Sequence, residues 1–149
     1  MPSLRIELGG ENTSYMGREN GLVKKLELSV LPQRFAVCRL DSEDAIPDWV
    51  MEGDFWSVTR TDEELSVVVP EDSAPASWKS EKGWRCLKVQ GPLDFSLTGI
   101  LASLASPLAD AGISIFAIST YDSDYILVRD QDLEQATEAL SEAGHVIEA

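Results

Sequence analysis

From Trp84 onward the sequence spells a strand, a helix, two strands joined by a polar turn, a second helix and a closing strand. A β-α-β-β-α-β order with short connections admits few folds. It is the split pattern in which two helices cover one face of an antiparallel sheet, the ferredoxin-like arrangement. The signals behind it are local. Trp84 to Gln90 is a strand-like run, followed by the loop Gly91-Pro92-Leu93-Asp94-Phe95. Ile100, Leu101, Leu104, Leu108 and Ala111 fall on one face of a helix whose other positions are mostly Ala and Ser. Ser96 is its expected N-cap and Gly112 its C′ residue, and Pro107 is predicted to kink it. Ile113 to Thr120 and Tyr125 to Val128 read as a hairpin. Leu133, Ala136, Leu140 and Ala143 form the stripe of a last helix ended by Gly144, with Glu134, Glu138 and Glu142 on its opposite face.

The first half echoes the second. Leu26, Leu28 and Val30 open a strand, Pro32 and Gln33 interrupt it, and Phe35 to Leu40 resumes it. Asp41 to Met51 is predicted as a short helix with Pro47 in its first turn. Phe55 to Arg60 and Leu65 to Val69 form a hairpin. A shift of 60 positions lays Trp56, Val58, Thr59, Leu65 and Val67 on Phe116, Ile118, Ser119, Tyr125 and Leu127, and Pro32, Phe35 and Pro47 on Pro92, Phe95 and Pro107. The reading is two copies of one module. Residues 1–22 form a loose leader, 23–70 a first module, 71–82 a linker rich in Ser, Pro and charge, and 83–149 a second module. The first copy is expected to be incomplete, because its hairpin runs into the linker without a second helix. Its missing parts either come from the leader or are absent. The fold class is α+β: two ferredoxin-like modules, antiparallel sheets with helices on one face.

Charge and composition narrow the function. There are 26 acidic residues against 12 Lys and Arg, a formal net charge of −14. Such a chain has no basic stripe to neutralise phosphates, so neither nucleic acid nor an anionic membrane surface is an expected partner. No apolar stretch approaches the ~18 residues of a membrane span. The N-terminus has no apolar signal core, and a cytoplasmic location is expected. One histidine, His145, leaves no multi-histidine metal site. Cys38 and Cys86 sit in the apolar runs FAVCRL and GWRCLKV and are read as buried free thiols. No metal and no cofactor is expected.

The paired β-α-β-β patterns, with GILASLASPLADAGISIFAISTYDSDYILV in the second and LPQRFAVCRL and FWSVTRTDEELSVVVPE in the first, resemble the ACT-domain family, above all its stand-alone tandem members. The resemblance covers about residues 26–148 and is most specific in the second module. It implies a regulatory module without catalytic chemistry of its own, binding a free amino acid or similar small molecule at an interface between ACT units; edge-strand pairing of ferredoxin-like sheets makes a homodimer the expected assembly.

The same resemblance places the ligand at the loop after the module's first strand and against the facing strand of a paired module. Here that loop is Gly91, Pro92, Leu93, Asp94 and Phe95, leading to Thr98 and Gly99 at the helix start. Glycine and proline shape a turn that lets backbone approach a ligand, and the helix start offers unpaired N–H groups to a carboxylate. Asp94 either receives an ammonium or caps the turn. Ser119, Thr120, Tyr121 and Asp124 supply polar groups at the end of the hairpin. Ser119 and Thr120 point to opposite faces of a strand, so one of them faces a site. Asp124 is either a ligand group or an ordinary turn residue, and Phe95 and Tyr121 are either contacts or plain aromatics.

The alternative is a protein–protein interaction module with no small ligand. An enzyme fits worst. The loop from Gly91 to Ser96 has no arginine to hold a phosphate, and the lone histidine has no visible Ser or Cys partner.

Overall fold

The computed structural model describes residues 25–91 and 99–148. In chain order these form β1 (Glu27–Leu40), a 3-10 turn at Asp48–Glu52, β2 (Ser57–Arg60), β3 (Leu65–Pro70), a 3-10 turn at Glu71–Ser73 and β4 (Lys79–Val89). There follow α1 (Ile100–Asp110), β5 (Phe116–Ser119), β6 (Asp124–Arg129), a 3-10 turn at Asp130–Asp132, α2 (Leu133–Glu142) and β7 (Val146–Glu148). They group into two compact units. One holds the described residues up to Leu31 and from Cys86 onward; the other holds Pro32–Arg85. β1 and β4 each contribute to both.

In the first of these units the strand order is β7-β1-β4-β6-β5. The order β-α-β-β-α-β from β4 to β7 is the one read from the sequence. A difference lies at the closing strand. β7 pairs in parallel with β1, Glu27 opposite Val146 and Ser29 opposite Glu148, so the start of β1 lies between β7 and β4. Leu26 and Leu28 enter the core completely as a result. They join Leu87 and Val89 of β4, Ile126 and Val128 of β6, Ile100, Leu104 and Leu108 of α1, and Ala136 and Leu140 of α2. Leu101, expected on the same helix face, is instead 39% exposed, at the rim of the stripe.

Both helices end alike. Gly112, at φ 76°, follows α1, where Ile113 N–H donates to Leu108 and Gly112 N–H to Ala109. Gly144 follows α2, where His145 N–H donates to Leu140 and Gly144 N–H to Ser141. These paired bonds satisfy carbonyls that the helix ends leave open, and they need a left-handed residue at C′. Pro107 lies inside α1, within its last turn, and its carbonyl accepts from Ala111. The expected N-cap Ser96 lies outside the described residues; the helix begins at Ile100, after Gly99.

In the second unit the order is β4-β1-β3-β2, the ferredoxin-like order of a module that opens with β1 and closes with β4. Neither helical position holds an α-helix among the described residues; each holds a 3-10 turn. The predicted helix over Asp41 to Met51 gives way because local bonds compete for its backbone. Asp44 Oδ2 accepts the Asp41 N–H at 3.1 Å, and the Arg60 guanidinium donates to the carbonyls of Ser42 and Asp44. The linker composition over Glu71 to Lys82 conceals the start of β4 at Lys79, a strand that is polar because it is an edge of this unit. β1 runs unbroken through Pro32, whose fixed φ suits extended backbone. Ala36, Cys38, Val50, Leu65, Val67 and Val69 form this unit's core, beside stacked Trp49 and Trp78 rings 5.3 Å apart.

The two hairpins pair in the same way, but their offset differs by one from the 60 read in the sequence. Ser57 pairs with Val68, and Phe116 with Leu127, which sets the hairpins at an offset of 59. Val67 and Val69 then correspond to Ile126 and Val128, all four facing the cores. At an offset of 60 the faces would be exchanged, because strand side chains alternate. The counterpart of Thr120 is therefore Thr61, and both build the same turn. Thr61 N–H donates to the Glu64 carbonyl at 2.9 Å, and Thr120 N–H to the Ser123 carbonyl at 2.8 Å. In each turn the threonine hydroxyl accepts the N–H three residues on, at 3.1 Å.

Candidate functional site

The hairpin turn between β5 and β6 is fastened to the end of β4. Thr120 closes it from within, and Ser123, only 7% exposed, donates its hydroxyl to the carbonyl of Val89. A buried hydroxyl needs such a partner, so the bond fixes where the turn sits on the strand. Ser119 donates to the carboxylate of Asp124, its register partner at the mouth of the hairpin.

Beside this junction lies a cavity of about 520 Å³. Lys88, Gln90 and Gly91 line it from the end of β4, Thr120, Tyr121, Asp122 and Ser123 from the turn, and Tyr125 from β6. Strand alternation decides which side chains reach it. Leu87 and Val89 point into the helix-covered core, so Lys88 and Gln90 point to the other face of the sheet. Ile126 and Val128 likewise place Tyr125 on that other face. Lys88 is half-buried, while Asp122 and Gln90 are exposed. Tyr121, at the rim, is 78% exposed.

The sequence-derived candidates divide cleanly. Gly91, Thr120 and Tyr121 come together at the cavity. Ser119 and Asp124 bond to each other and are not among the described residues that line it. Gly99 precedes α1 at φ 79°, a left-handed conformation that favours glycine, and its carbonyl accepts the Ser103 N–H at 2.8 Å. Pro92, Leu93, Asp94, Phe95 and Thr98 lie outside the described residues. Sequence reasoning missed Lys88, Gln90 and Tyr125, and took Asp122 and Ser123 for turn residues only. The available signal was the parity of β4: a lysine and a glutamine alternating with core positions in an otherwise apolar run.

The remaining titratable groups of interest are structural. Burial pushes the Cys86 thiol up to about 12, and raises Cys38 as well against the pull of Lys82. Both cysteines are free and buried, as their apolar contexts suggest. Burial lowers the pKa of His145, opposed by its bond to the Ser103 carbonyl. Among the described residues no group of His, Cys, Asp or Glu is placed to hold a metal ion, and no helix is long and apolar enough to cross a membrane.

Comparison with known proteins gives the following. The family model described as the ACT domain matches residues 79–142, and a second model, of an N-terminal domain, matches residues 33–77. The bovine (Bos taurus) protein named cytosolic arginine sensor for mTORC1 subunit 1 is 33% identical over 98 residues, which are 58% of this chain and 30% of that protein. This chain therefore spans less than a third of that relative's length. Protein Atu0741 from Agrobacterium tumefaciens, of known crystal structure, shares 44% identity with a TM-score of 0.79, over 83% of this chain and 92% of that one. The regulatory subunit of aspartate kinase from Thermus flavus superposes with a TM-score of 0.55 at 12% identity, over 78% of this chain and 95% of its own, a likeness of fold alone. Element order, strand order and the matched model agree: residues 79–142 of this chain form a domain of the ACT-domain family.

Proposed function

We propose that this protein binds a free amino acid without transforming it and that the bound state regulates a partner. The observation that carries the reading is the cavity between the end of β4 and the β5–β6 turn, with a lysine and an aspartate among its lining residues. An amino acid offers one charge of each sign to such a lining. The relative named as an arginine sensor supports the same class of ligand. In this reading the protein is not an enzyme, works in the cytoplasm, and carries tandem ACT modules. Two chains associate so that the exposed Tyr121 of one packs against the other and closes the cavity's mouth. An aromatic ring this exposed is a good anchor for such a contact. Gly91, at the end of β4, brings its backbone N–H to the ligand.

A thermal-shift screen against the twenty proteinogenic amino acids tests the proposal. Binding to the folded state alone stabilises by RT ln(1 + [L]/Kd), about 2.7 kcal/mol at a hundredfold excess over Kd. At least one amino acid is expected to raise the melting temperature in a concentration-dependent way. A flat response to all twenty at millimolar concentration contradicts the reading.

A further inference from the structure

We infer that the cavity reads its amino acid as a zwitterion, Lys88 receiving the α-carboxylate and Asp122 the α-ammonium. The inference rests on the amino-acid-binding reading and adds the groups that do the recognising. Three observations support it.

Lys88 and Asp122 line the same cavity, yet among the described residues neither makes a hydrogen bond or an ion pair, with each other or with a third group. The other polar side chains of that lining already have partners. The Ser123 hydroxyl donates to the Val89 carbonyl, and the Thr120 hydroxyl is engaged with the Ser123 backbone. The Gln90 amide donates to Ser29 Oγ at 3.2 Å. Among the described residues the cavity thus presents one cation and one anion without a partner on a background of satisfied groups.

The backbones carrying the two charges are also held in fixed relation. Lys88 projects from β4, and Asp122 sits in a turn closed by Thr120 and tied to β4 at Val89, the residue next to Lys88. Two opposite charges carried on backbones tied together beside one cavity suit a zwitterion, because fixed backbones leave less to order on binding. Lys88 is half-buried in a chain of net charge −14, and its ammonium beside the cavity offers a carboxylate an opposite charge.

The test compares wild type with Lys88→Met and Asp122→Asn, with folding of each checked by circular dichroism. Isothermal titration is run with the twenty amino acids, then with the methyl ester and the des-amino acid of each one that binds. The ester removes the carboxylate charge, and the des-amino acid removes the ammonium. Loss of a hydrogen-bonded charge pair predicts about tenfold or more weaker binding of the ester to wild type. Lys88→Met should bind amino acid and ester alike, and Asp122→Asn should bind amino acid and des-amino acid alike. The wild-type comparisons need no variant, so a misfolded mutant does not blunt the test. An ester or des-amino acid that binds wild type as well as its parent overturns the inference, as does an amino acid that binds Lys88→Met and Asp122→Asn undiminished; both leave amino-acid binding intact. If none of the twenty binds wild type, the functional reading falls and the inference falls with it.

Discussion

Nδ1 of His145 accepts the backbone N–H of Leu26 at 3.0 Å, across 119 positions of sequence. The other ring nitrogen meets the Ser103 carbonyl at 3.0 Å. An N–H facing Nδ1 and a carbonyl facing Nε2 require the neutral ring with its proton on Nε2. One buried side chain thereby joins the approach to β1, helix α1 and the turn after α2, where β7 begins its parallel pairing with β1. The bond helps hold the start of β1 in a sheet whose other strands come from residues 86 onward.

Protonating His145 would place a second N–H against that of Leu26. The unfolded histidine titrates near 6.5, and the folded one lies lower because it is buried. As pH falls, the unfolded chain takes up the proton first, so stability is full above about pH 6.5 and declines below it. Urea midpoints at pH 7.5 and 5.5 measure this. His145→Ala should cost about 1–3 kcal/mol, because two buried backbone groups lose their partner, and it should flatten this part of the pH dependence.

The two threonine turns should behave alike in stability and differently in binding. Thr61→Ala and Thr120→Ala each remove a side-chain bond that closes a hairpin, a loss of about 0.5–1.5 kcal/mol in urea denaturation. Only Thr120→Ala alters the cavity, so only it should change the response to amino acids. Equal effects of both on binding would place the site elsewhere.

Leu101 and Leu104 share a predicted apolar stripe but not a fate. Leu104 is completely buried and Leu101 is 39% exposed. Leu104→Ala should destabilise by about 2–5 kcal/mol through transfer and cavity terms, while Leu101→Ala should stay within about 0.5 kcal/mol. Thermal denaturation of the two variants gives the comparison.

The Cys86 thiol, pushed up to about 12, should be inert in the folded protein. At pH 8 a thiol of that pKa is ionised only on the order of one part in ten thousand, and the thiolate is the reactive form. Iodoacetamide should label Cys86 only after denaturant is added, as followed by mass spectrometry.

Much of the fold is legible in the sequence, since the helix stripes and hairpins from Trp84 onward have clean periods and proper stops. The insertion of β1 between β7 and β4 is not, because a pairing over 119 positions leaves no local mark. The sequence reads the hairpin offset as 60 where the pairing has 59, because Val67-Val68-Val69 and Ile126-Leu127-Val128 are unbroken apolar runs, buried on both faces, which carry no parity. The start of β4 hides in polar residues because an edge strand has no need of apolar ones. The polar turn at Thr120 to Ser123 draws attention to the end of the hairpin that lines the cavity. Its role in the cavity depends on Lys88 and Gln90, which look like strand filler until alternation turns them away from the core.

The most direct test is amide chemical-shift mapping of the uniformly labelled protein, titrated with the amino acid that gives the largest thermal shift. The account predicts saturable shifts concentrated at Lys88, Gln90, Gly91 and Thr120 to Tyr125. Saturable shifts confined to Pro32–Arg85, with those residues unmoved, would contradict it.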